Sequence, residues 1–100
     1  MAKGYWIARV DIHDPEAYKA YVAANGAVFR RFGARFLARG GASETVEGSE
    51  RQRNVILEFP SYAAALACYR SDAYQPVKAM RTSASQADIV IVEGYDGPQP

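Results

Sequence analysis

Two groups of side chains in this sequence have the types and spacing for chemistry. The first is Arg9, Arg39 and Glu58, each in a segment whose apolar residues alternate; strand parity puts all three on one face with Tyr5, Ile7, Leu37 and Ile56. A guanidinium offers paired N–H groups to a carboxylate or phosphate, and desolvation raises a carboxylate's pKa into the range of a general base. Such a set suits a small anionic ligand, with Glu58 as the candidate proton carrier. The competing reading of the same residues is an ion-pair network across a subunit interface, or solvated strand ends. The second group, Tyr69, Ser71, Tyr74 and Arg81, gathers around a break between helical segments. There a tyrosine such as Tyr69 would donate to a developing oxyanion while Arg81, with Arg39, holds the negative charge. Packing offers each a second explanation: Tyr69 in an apolar stripe, Ser71 as a cap, and Tyr74 as a packed ring with its hydroxyl in water.

The remaining reactive side chains carry less. His13 stands just ahead of a helix cap, at a turn position that is usually exposed, with no second histidine to share a metal or a proton. Cys68 lies on a helix without a second cysteine or a nearby histidine, so it reads as a small buried hydrophobe. Gly40 and Gly41 lack the lysine and helix start of a phosphate loop, and a bend or bulge is expected. No metal and no cofactor, haem included, is expected.

These side chains need elements to hold them. Gly4 to Ile12 alternates as a strand, with Trp6, Ala8 and Val10 on the face opposite Tyr5, Ile7 and Arg9. Asp14 followed by Pro15 starts a helix that runs to about Phe32, its stripe built from Tyr18, Val22, Asn25 and Phe29 and its end marked by Gly33. Arg35 to Arg39 alternates again, with Phe36 and Ala38 opposing Arg35, Leu37 and Arg39. Thr45 and Val46 read as its extension towards a hairpin near Gly48. Gln52 to Phe59 is a strand stopped by Pro60. Ser61 caps a short alanine-rich helix, and Ser71 or Asp72 a further segment to about Ser83 that Pro76 should break or kink unless it falls in the first turn. Ala87 to Glu93 is a last strand, apolar at Ile89, Val90, Ile91 and Val92, so its faces are unreadable.

The order strand, helix, strand, strand, helix, strand is the split βαβ pattern, an α+β fold whose helices cover one face of a four-stranded antiparallel sheet. The other face, apolar at Tyr5, Ile7, Leu37 and Ile56, needs a cover, and a second sheet is the expected one. At 100 residues the chain makes one domain, 1–97 with a tail at 98–100, and a single core of this size gains from a partner. Twelve Lys plus Arg against eleven Asp plus Glu leave a charge of +1 without a basic block, which argues against nucleic acid. A lone cysteine, no apolar run of membrane length and no secretion signal point to the cytoplasm.

The stretches KGYWIARVDIHDPEAYKAYV, RFLARGG, NVILEFPSYAAALACYRSDAY and ADIVIVEGYDG together resemble domain of unknown function 1330 across nearly the whole chain. That family is similar to the dimeric α/β-barrel group, in which two ferredoxin-like subunits join bare sheet faces. The resemblance implies a ferredoxin-like homodimer. The wider group includes cofactor-free monooxygenases, muconolactone-type isomerases and haem proteins, so the resemblance implies no single chemistry and supplies no catalytic residue. The reading is a cytoplasmic homodimer that binds a small anionic or aromatic organic molecule in a cavity at the dimeric barrel. A cofactor-independent monooxygenase- or isomerase-like enzyme, with Glu58 or Tyr69 as catalytic candidate, and an interaction dimer without a ligand are the alternatives.

Overall fold

The computed structural model describes residues 2–100. β1 (Gly4–Ile12) leads into α1 (Pro15–Arg31), where the Asp14 carboxylate accepts from the Ala17 N–H at 3.1 Å and Pro15 occupies the first turn. The helix ends where Gly33 takes a φ of +74°. β2 (Arg35–Arg39) and β3 (Arg53–Phe59) are joined by residues 40–52. Thr45 and Val46, expected to extend β2, lie outside any strand. Gly40, at φ +70°, turns the backbone out of the ladder, and the connection is tied elsewhere. Arg9 donates to the Ser49 carbonyl, and Arg51 bridges Asp11 at 3.1 Å and Asp88 at 2.8 Å.

Ser61 caps α2 (Tyr62–Arg70), its hydroxyl accepting from the Ala64 N–H at 3.0 Å. The Ser71 hydroxyl then donates to the Cys68 carbonyl at 2.7 Å and accepts from the Tyr74 N–H at 3.1 Å, closing α2 and opening α3 (Tyr74–Ala84). The break therefore falls at residues 71–73. Pro76 sits in the first turn of α3, where its missing N–H costs nothing. β4 (Ser85–Glu93) starts ahead of Ala87 because Ile12 and Ser85 close the end of its ladder with β1.

The strands run in the order β2-β3-β1-β4, all neighbours antiparallel, and the fold is the α+β, ferredoxin-like one. The helices share one face of the sheet, α1 packing on α3 and α2 on β1. Trp6, Val10, Val55, Leu57 and Phe59 point into that layer, against Tyr18, Phe29, Ala65, Cys68 and Tyr74. Gly4 lets β1 pass beneath α2: a β-carbon there would overlap the Ser61 carbonyl oxygen and lie 2.7 Å from the Tyr62 Cα. Those are backbone atoms that cannot swing aside. Gly4→Ala is expected to cost about 1–3 kcal/mol, read as a lower urea midpoint at unchanged slope; an unmoved midpoint would refute this packing.

Register settles the faces of β4. Trp6 pairs with Ile91 and Ile7 with Val90, so Ile89 and Ile91 lie under the helices while Val90 and Val92 join the open face. That face carries Ile7, Leu37, Val90 and Val92 at 37, 47, 55 and 41% exposure.

Candidate functional site

A cavity of about 30 Å³ lies between α1 and the helix-covered face of the sheet. Its walls are aromatic, from Trp6, Tyr18, Tyr21, Phe29 and Phe36, and its polar groups are Asn25, Arg39, Arg53 and Arg81. The helical period explains the α1 contribution, since Tyr18, Tyr21, Asn25 and Phe29 recur at spacings of three and four. Arg53 shares strand parity with Val55, Leu57 and Phe59. Arg81 falls on the buried face of α3 with Tyr74, Val77 and Ala84, and only 6% of it is exposed.

Arg39 corrects the sequence reading. Simple alternation puts it on the open face with Arg9 and Glu58, but β2 carries a bulge: Phe36 pairs with Leu57, and the next pair is Ala38 with Ile56. Leu37 is the extra residue, so Arg39 pairs with Val55 and turns to the helix side, where its guanidinium stacks 4.0 Å above the Phe36 ring. Gly40 serves the same corner in a second way. A β-carbon there would collide with the Arg53 guanidinium, so glycine makes room for Arg53 at the cavity. Outside, a groove of about 520 Å³ shares Phe29, Phe36 and Arg39 with the cavity.

The cavity's electrostatics are one-sided. The salt bridges among the described residues join Glu16 to Lys19, Glu58 to Arg35, and Asp11 and Asp88 to Arg51; none includes Arg39, Arg53 or Arg81. No carboxylate lines the cavity. The Nε atoms of Arg53 and Arg81 and the Oδ1 of Asn25 are buried without a hydrogen-bond partner. Burial pulls the Arg81 guanidinium down, but the hydroxyls of Tyr74, Tyr21 and Tyr69 outweigh it and hold it above its ordinary value. The Tyr21 and Tyr74 hydroxyls meet at 2.8 Å. Burial first, then each phenol's neighbour, pushes Tyr21 well above the usual tyrosine range; burial also raises Tyr74, against the opposing pull of Tyr21 and Arg81.

The other expected site residues spread over the molecule. Arg9 stays on the open face. Glu58 is there too, its Oε1 3.0 Å from the Arg35 Nε and its Oε2 accepting from the Tyr5 hydroxyl at 3.1 Å. Tyr69 packs edge-on against Trp6 at 5.5 Å with Lys78 over its ring, and Ser71 is the double cap described above. Tyr74 departs from the expected wet hydroxyl: it is fully buried and bonded to Tyr21. His13 is exposed, and burial pushes the Cys68 thiol up to about 12, as befits a packing residue. Sequence reasoning passed over Tyr21, Asn25 and Arg53 as site residues. The signals were a polar residue inside the apolar stripe of α1 and an arginine in phase with the buried side of β3.

The molecule is a ferredoxin-like α+β domain with an arginine-lined cavity under its first helix. The chain belongs to the family described as Domain of unknown function (DUF1330), whose model matches residues 3–95. Among solved structures it is similar to a protein of unknown function from Rhodopseudomonas palustris, at TM-score 0.78 and 21% identity over 96% of this chain and 85% of that one. SnoaB, a cofactor-independent oxygenase from Streptomyces nogalater, superposes at 0.65 with 13% identity over 100% and 97% of the two chains. A dimeric ferredoxin-like protein of unknown function from a Jannaschia species does so at 0.63 with 16% identity over 90% and 97%. No curated protein matches the chain. Among the described residues, no helix is long and apolar enough to cross a membrane and no group of three metal-ligating side chains occurs.

Proposed function

We propose that this protein is a homodimer that binds a small organic anion, each subunit carrying its own cavity between α1 and the sheet. One observation supports the ligand: arginines from β2, β3 and α3 line one small cavity with no carboxylate beside them. A buried cation without a counter-charge is costly, and an anionic ligand removes that cost. Arg39 and Arg81 hold the charge as the sequence reading had it, joined by Arg53; Phe29 and Phe36, shared with the neighbouring groove, flank a flat carbon body. Tyr74 acts through Tyr21, and Tyr69 and Ser71 support the site from behind. The site thus lies inside the subunit, under the helices, and Arg9 and Glu58 belong to the subunit interface.

The dimer reading draws on the open sheet face. Ile7, Leu37, Val90 and Val92 make an apolar centre there, bordered by the Tyr5–Glu58–Arg35 and Asp11–Arg51–Asp88 groups, which suits a second copy of the same face. The Jannaschia protein is described as dimeric. The buried Cys68 fits a reducing cytoplasm. A catalytic reading draws on the likeness to an oxygenase and on the neutral Tyr21 phenol near Arg81, a pair able to stabilise an oxyanion as it forms.

Native mass spectrometry of gently purified protein tests the proposal. The expected spectrum is a dimer carrying a discrete extra mass. Leu37→Asp with Val90→Asp should weaken the dimer by about 100-fold or more, because each copy would bring two uncompensated carboxylates into an apolar interface. A bare dimer whose melting benzoate leaves unmoved would favour an interaction dimer, and a monomeric wild type would remove the shared face.

A further inference from the structure

The cavity's donors have a direction, which narrows the ligand; this inference rests on the ligand reading above. Arg39, Arg53 and Arg81 only donate hydrogen bonds. A phenol has one proton and can also accept, so the Tyr21 and Tyr74 hydroxyls, 2.8 Å apart, allow either to be the donor. Their surroundings decide. Tyr74 is fully buried, and the Tyr21 hydroxyl is the one hydrogen-bond partner of its own hydroxyl. The Tyr74 proton therefore has one acceptor, the Tyr21 oxygen. Tyr21 lines the cavity and Tyr74 does not, so the Tyr21 proton is the one left to point inward. Reversing the pair would strand the Tyr74 proton in the core, a loss the chosen direction avoids.

We propose that Tyr74 and Tyr21 form a one-way donor chain that ends on the ionised oxygen of a planar organic acid, so that the cavity selects the oxyanion over its neutral form. At about 30 Å³ the cavity seats the oxyanion end alone. The carbon body lies past Phe29, Phe36 and Arg39 in the adjoining groove of about 520 Å³. Tyr21 touches the ligand; Tyr74 is a positioning residue that acts through it. Besides these, the titratable or charged groups facing the chain are Tyr18 of α1, Tyr69 of α2, Arg81 of α3, Arg39 of β2 and Arg53 of β3, and no histidine or carboxylate joins them at the cavity. Burial keeps both phenols neutral and donating at neutral pH.

The probe is 4-nitrophenol, which ionises near neutrality and changes colour when it does. Bound to wild-type protein, its apparent pKa should fall by about one unit, a roughly tenfold preference for the phenolate. Tyr74→Phe keeps the ring and leaves Tyr21 in place but removes its donor. It should cut the preference by about threefold to tenfold while the affinity for the neutral phenol stays within about twofold. Tyr21→Phe should cut it at least as far, and serves in place of Tyr74→Phe if that variant does not fold. A bound probe with an unshifted pKa, or a Tyr74→Phe preference equal to wild type, overturns the chain and leaves the ligand reading standing. Failure of both 4-nitrophenol and benzoate to bind wild type overturns the two together.

Discussion

Arg81→Met is expected to abolish ligand-induced stabilisation while leaving the ligand-free protein as stable as wild type or more so. The surroundings of the guanidinium are the reason. It is 94% out of water by its 6% exposure, its Nε lacks a partner, and no carboxylate shares its cavity. Replacing buried charges with an apolar side chain of similar volume is neutral or stabilising by about 1–4 kcal/mol even when they are paired, and here no pair is broken. The Tyr74 hydroxyl loses a donor neighbour, which offsets part of the gain, so a net change of about 0 to +2 kcal/mol is expected. Binding moves the opposite way. Removing one partner of a desolvated charge contact costs about 2–5 kcal/mol, or roughly 30-fold to several thousandfold in affinity. Thermal melts of wild type and variant with and without millimolar benzoate read both effects, since stabilisation rises with the ratio of ligand concentration to Kd. A variant that melts well below wild type without ligand, or that keeps the benzoate shift, would show that Arg81 serves the core and not a ligand.

The second large effect is Trp6→Ala, expected to cost about 3–5 kcal/mol, out of the roughly 5–15 kcal/mol that holds a domain together. Trp6 is 2% exposed and stands at the centre of an aromatic cluster, with ring centroids at 5.2 Å to Tyr74, 5.3 Å to Phe29 and Phe59, and 5.5 Å to Tyr69. Its indole N–H donates to the Ala65 carbonyl at 2.8 Å, tying β1 to α2. Truncation removes the ring contacts, opens a void between two helices and a strand, and takes a donor from a buried carbonyl. Trp6→Phe keeps much of the packing and loses the hydrogen bond, so about 1–3 kcal/mol is expected for it. Urea unfolding followed by far-ultraviolet circular dichroism measures both. A loss below about 1 kcal/mol for Trp6→Ala would mean that the cluster can collapse around the gap and that Trp6 does not organise it.

The order of elements, their caps and the fold class are legible along the chain because they are written in short-range patterns. Asp14, Ser61 and Gly33 act within a few residues of where they stand, and the alternation of β1 and β3 survives any arrangement of the rest of the chain. The parity of Trp6, Val55 and Leu57 gave their burial correctly for the same reason, and Tyr5, Ile7 and Ile56 fell on the open face as alternation required. The composition of the site was only half legible. Arg81 was singled out, but Arg53, Asn25 and Tyr21 were hidden in stripes that read as packing.

Tertiary structure decided the rest. At the bulge at Leu37, one inserted residue in the pairing of β2 with β3 carries Arg39 from one side of the sheet to the other. The faces of β4 came from its pairing with β1, since four successive apolar residues carry no period. Tyr74 lost its water because α3 lies against α1 and places the two phenols 2.8 Å apart. Local propensity and period act over a few residues, whereas a cavity is the space left between elements far apart in the chain, and its lining depends on registers that no single element contains.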